Sequence, residues 1–112
     1  MKQSKGSVKS AIAKVHKDLS LIHNDAYPIF CRFHDKTEQG NHLGIAYWGG
    51  GFDYSNPLGE DGWGDYPEYI ITIDDDTGEA VMYSYWDGHY YIKLVDGIYT
   101  VLGRLGLAKR PW

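Results

Sequence analysis

Apolar positions in residues 7–24, SVKSAIAKVHKDLSLIHN, fall at Val8, Ala11, Ile12, Val15, Leu19 and Ile22. Spacings of three and four residues put them on one stripe and predict an amphipathic helix. Ser7 suits its start, and Asn24, Asp25 and Pro28 its end. The period then changes to two. IFCRFH at 29–34 predicts a strand with Ile29, Cys31 and Phe33 on one face, and LGIAYW at 43–48 predicts a second. In EYIITIDDDTGEAVMYSYW, Ile71 and Ile73 alternate on one arm of a hairpin. Val81, Tyr83 and Tyr85 alternate on the other as a core face, around a turn at Asp76-Thr77-Gly78. Asp87-Gly88 turns the chain into a further strand, HYYIKL.

Two periods fit the last stretch. Asp96-Gly97 suits a tight turn between strands. Asp96 also suits a helix cap, with Ile98, Val101, Leu102 and Leu105 as the stripe and Gly106 as the stop. Four matches to the helical spacing favour the helix. The expected architecture is α+β: an N-terminal helix, a four- or five-stranded antiparallel sheet and a C-terminal helix, in one domain over residues 1–112.

Composition changes this picture little. No apolar run approaches the roughly 18 residues of a membrane span, and the basic N-terminus lacks the apolar block of a secretory signal. A single cysteine, Cys31, excludes an internal disulfide and a cysteine-based zinc site, and a cytoplasmic protein is the simplest reading.

Charge changes it more. Every Lys and Arg lies in residues 2–36 or 93–110. Between Thr37 and Ile92 there are eleven acids and no base, although the whole chain carries only −4. Pairing of this block with the basic ends is the plain explanation. The same block would also repel nucleic acid and attract a basic protein.

Candidate chemistry is sparse. The triplet Gly49-Gly50-Gly51 is followed by Asp53 and lacks the lysine and hydroxyl of a phosphate loop, so it reads as a backbone bend or bulge beside bulky rings. Asp74-Asp75-Asp76 lacks calcium-loop spacing and reads as a hairpin tip. Cys31 and His34 point to opposite faces of a strand, and His16 and His23, seven apart, read as a polar rim. No catalytic residue, metal site or cofactor is expected, and the protein is read as non-enzymatic.

Aromatic residues supply the remaining signal. Twelve of the seventeen lie between Tyr47 and Tyr91, inside the acidic block. Residues 49–67 read as a long glycine-rich loop flanked or occupied by Trp48, Phe52, Tyr54, Trp63 and Tyr66. Rings among acids have the composition of a protein-binding anchor, and a small core beneath the loop is the competing explanation. The expected contact residues are Glu60, Asp61, Trp63, Asp65 and Tyr66, then Asp53 and Tyr54.

From Gly64 onward, GDYPEYIITIDDDTGEAVMYSYWDG followed by IYTVLGRLGL resembles the C-terminal half of the SUKH superfamily of bacterial immunity proteins. The resemblance covers under half the chain and rests on the order of turns and strands. It implies a small protein that binds and neutralises a cognate toxin; the acidic block makes a basic toxin, such as a nuclease, the expected partner, with no nucleic acid or membrane. A carbohydrate- or small-ligand-binding module, and a phage-encoded inhibitor of a host defence nuclease, are the alternatives.

Overall fold

The computed structural model describes residues 1–54 and 68–112. One helix, α1 (Lys5–Asp18), precedes β1 (Ile29–His34), β2 (Tyr47–Phe52), β3 (Ile70–Asp74), β4 (Ala80–Tyr85), β5 (Gly88–Val95) and β6 (Ile98–Arg104). The strands form one antiparallel sheet in sequence order, so every strand pairs with its neighbour in the chain. The α+β expectation holds. Among the described residues the sheet has six strands, and the last element is a strand where a helix was expected.

Helix α1 starts earlier and ends earlier than its apolar pattern indicates. Ser4, not Ser7, is the cap: its hydroxyl accepts the Ser7 N–H at 3.1 Å. The helix stops at Asp18 because the Leu21 N–H turns back to the His16 carbonyl at 2.9 Å while Ser20 takes the left-handed conformation, φ 54°. The stripe works as expected within the helix, where Val8, Ile12 and Val15 are fully buried against Trp48, Ile71, Ile73, Ala80, Ile92 and Tyr99 on one face of the sheet; Leu19 and Ile22 fall beyond its end, and Ile22 is exposed. Ile29, Cys31 and Phe33 of β1 join that face, as their alternation predicts.

The glycine triplet lies inside β2, so the second strand runs over 47–52 rather than 43–48 and the long loop cannot begin at Gly49. Gly50 pairs with Cys31 on one side and Ile71 on the other. A side chain there would reach the Ile12 Cδ1 and Cys31 Cα positions at 2.9 Å and collide with the Phe30 carbonyl. The glycines therefore let α1 and the flanking strands approach β2 closely instead of bending it.

The expected Asp76–Gly78 turn is present. Gly78 has φ 74°, and its N–H reaches the Asp74 carbonyl at 2.8 Å. An irregularity between Thr72 and Ile73 shifts the β3–β4 register. As a result Val81, expected to share a face with Tyr83 and Tyr85, clusters with Met82 and Tyr91, which Leu43, Ala108 and Trp112 flank. Trp112 closes this back face, its ring edge-on to Tyr91 at 5.6 Å and its indole N–H donating to the Leu43 carbonyl at 3.0 Å.

Asp96-Gly97 forms the tight turn, with φ 52° and 80°, and commits the chain to a hairpin. Tyr99, which the helical stripe omits, is the buried residue of β6; its hydroxyl accepts the Ala80 N–H at 2.9 Å. Ile98, Val101, Leu102 and Leu105, the supposed stripe, are all exposed.

Candidate interaction surface

Two of the expected contact residues fall within the described structure, and neither stands out on the surface. Tyr54 is buried in a satellite cluster with Tyr27 and Phe52, its ring edge-on to Tyr27 at 5.0 Å and its hydroxyl accepting the Asn24 N–H at 3.3 Å. Asp53 is half-buried, and its N–H donates to the Pro28 carbonyl at 2.8 Å. Phe52 shares the satellite cluster of Tyr54, and Trp48 is buried in the main core, so none of these three rings is displayed. Glu60, Asp61, Trp63, Asp65 and Tyr66 lie outside the described residues.

Part of the acidic block is structural. The buried Asp75 carboxylate accepts the N–H groups of Lys2 and Gln3, each at 3.0 Å from Oδ1, and the Trp48 indole N–H at 2.9 Å. Burial pushes this carboxyl up, but the bonds from Gln3, Trp48 and Lys2 outweigh it and hold it below the usual range. Lys2 pairs with Asp76. The basic N-terminal segment is thus clasped to the acidic hairpin tip.

A different surface carries exposed rings. Trp86, in the turn between β4 and β5, is 84% exposed. It leans on Tyr85 at 5.8 Å between centroids. Tyr85 stacks on Tyr69 at 4.7 Å, Tyr69 meets Tyr83 edge-on at 6.2 Å, and Tyr83 stacks on Tyr90 at 5.0 Å. The row follows from strand periodicity and register. Tyr83 and Tyr85 alternate along β4, and Tyr83 faces Ile71 on β3 and Tyr90 on β5. All four tyrosines are half-buried, which leaves part of each ring open.

Glu68 and Asp87 are exposed beside this row. Burial, the neighbouring phenols and Asp87 push the Tyr69 and Tyr83 hydroxyls up, so both stay neutral at physiological pH and the negative charge belongs to the carboxylates. A groove of about 420 Å³ runs alongside Trp86, lined by Glu68, Ile70, Ser84, Tyr85 and Trp86. The alternation around Tyr83 and Tyr85 was visible in the sequence. The exposure of Trp86 was not, because Tyr85-Trp86-Asp87 spans the point where strand gives way to turn.

The histidine pair also departs from expectation. His16 is buried, not on a polar rim, with both ring nitrogens lacking a hydrogen-bond partner among the described residues. It sits among Phe52, Tyr69 and His23, with ring centroids 4.9, 5.7 and 5.1 Å away. Because α1 ends at Asp18, the chain doubles back and brings His23 to it, held by the Leu21 carbonyl at 2.8 Å and Asp25 at 3.0 Å. Burial, then the nearby His23, lowers the His16 pKa to about 4. Among the described residues, no group of three or more His, Cys, Asp or Glu side chains is arranged to hold a metal ion, and no helix is long and apolar enough to cross a membrane.

No protein-family model, curated protein or solved structure matches this chain.

Proposed function

We propose that the protein is a non-catalytic binder of a basic partner protein and acts as an immunity-type inhibitor, with the Trp86 end of the sheet as its contact surface. One observation carries this reading. An almost fully exposed indole stands beside four half-open tyrosines, next to Glu68 and Asp87. Trp and Tyr are the side chains most often found at binding hot spots, where they supply large contact area at small entropic cost. Acids around them speed encounter with a partner of opposite charge. A nuclease toxin in the cytoplasm, neutralised by occlusion of its basic nucleic-acid site, is the partner that the charge pattern fits and that the partial SUKH resemblance also suggests.

The row of tyrosines suits sugar stacking too, which sustains carbohydrate binding as a second reading. Salt separates the two, since a charged protein interface loses on-rate as ionic strength rises whereas stacking on a neutral sugar does not. The direct test is co-expression with the product of the adjacent gene. Wild type is expected to suppress that product's toxicity and to co-purify with it, and Trp86→Ala to do neither. Equal protection by both would overturn the assignment of the surface; a neighbour that is neither toxic nor bound would overturn the immunity reading.

A further inference from the structure

We propose that the groove beside Trp86 receives an arginine side chain of the partner, so that a guanidinium rather than a general positive charge is the recognised group. This rests on the reading of the Trp86 surface as the contact site. The groove provides what an arginine needs. Ile70 offers an apolar wall for the methylene stem, and Tyr85 and Trp86 offer ring faces for the planar cation. Glu68, the only carboxylate lining it among the described residues, matches the forked donors. No Lys or Arg among the described residues lines it.

The other side of the same turn shows the pairing already made. The Arg104 guanidinium lies over the Tyr90 ring, 6.0 Å from its centroid, and donates to the Asp87 carbonyl. A ring face next to an oxygen acceptor thus already binds one guanidinium within the fold. The Trp86 side repeats both components, with a stronger π face and a full carboxylate, and leaves the cation to be supplied from outside. Lysine fits less well: its ammonium is a compact, strongly hydrated charge that neither stacks nor forks.

The experiment is an NMR titration of the whole chain at low salt with tetra-arginine, tetra-lysine and tetra-citrulline peptides. It follows the Trp86 indole N–H signal, identified as the one that Trp86→Ala lacks. Tetra-arginine is expected to shift that signal and to bind roughly three-fold or more tightly than tetra-lysine, as a ring–guanidinium contact at an exposed site implies. Tetra-citrulline, which keeps the shape without the charge, is expected not to shift it. Glu68→Gln is expected to weaken tetra-arginine binding roughly two-fold or more. Trp86 and Glu68 are exposed, so both variants are expected to keep the wild-type spectrum elsewhere. Equal affinity for arginine and lysine, an unmoved indole signal, or no effect of Glu68→Gln would overturn the inference. If the partner's binding still depends on Trp86 in that case, the surface stands and only the arginine assignment falls. If it does not, the surface itself is wrong.

Discussion

Gly50 shows how strictly one atom is excluded. Its missing side chain is where Ile12 of α1 and the backbone of β1 come together, whereas a side chain at Gly49 would meet, among the described residues, only the His34 ring, at an ordinary 3.8 Å. Gly50→Ala should therefore cost about 1–3 kcal/mol or more through overpacking, and Gly49→Ala under about 1 kcal/mol. Urea unfolding of the two variants checks this, and equal stabilities would contradict the packing described. His16 leads to a second prediction. With a folded-state pKa of about 4 against an ordinary 6.5, the unfolded chain takes up the proton first. The sign is therefore a stability that is unaffected above pH 6.5 and falls as pH drops toward 4, by roughly 3 kcal/mol at the limit. His16→Leu should flatten that arm of a stability–pH curve, and should raise stability at pH 7 because it removes two buried nitrogens that lack a hydrogen-bond partner among the described residues. An unchanged acid slope would show that His16 is not the titrating group.

At the scale of the elements, α1 and β1 were legible because their periods are unambiguous, whereas β2 was placed four residues too early. Val8, Ile12 and Val15 can share a face only in a helix, and Ile29, Cys31 and Phe33 only in a strand. β6 was misread because a run rich in apolar residues satisfies both periods by chance, and Leu102, Leu105 and Val101 matched the helix without being core. Better guides were the Asp96-Gly97 turn and the β-forming Ile-Tyr-Thr-Val that follows it. β6 is also guarded as a sheet edge: the Asp18 carboxylate accepts the Tyr99 N–H at 3.0 Å. The Asp75 clasp could not be read from sequence, since it joins residues more than seventy apart. Asp75→Asn should destabilise the fold by roughly 1–3 kcal/mol, because an amide cannot accept at both oxygens from the Lys2, Gln3 and Trp48 donors. A melting curve matching wild type would mean that the clasp contributes nothing to stability.

Over the molecule as a whole, the segregation of charge along the chain proves to have two roles. Asp75 and Asp76 hold the basic N-terminal segment, while Glu68 and Asp87 stand at the opposite end of the β3–β4 hairpin beside exposed rings. Sequence pointed to acids among aromatics and assigned contact to Asp53, Tyr54, Glu60, Asp61, Trp63, Asp65 and Tyr66; of these Tyr54 is buried and Asp53 half-buried, and the other five lie outside the described residues. Phe52 looks like a loop residue until the glycines are seen to form strand; Tyr54 does follow the strand, and the hydrophobic effect takes both rings inside. Under the proposed function, the Trp86 surface is the point of contact. The most direct test measures the affinity of the co-purified partner for wild type and for Trp86→Ala at low and physiological salt. A loss of about 2 kcal/mol or more, roughly thirty-fold, is expected for Trp86→Ala, with wild-type association slowing as salt rises. Affinities that match within a factor of about two, or association indifferent to salt, would contradict the account.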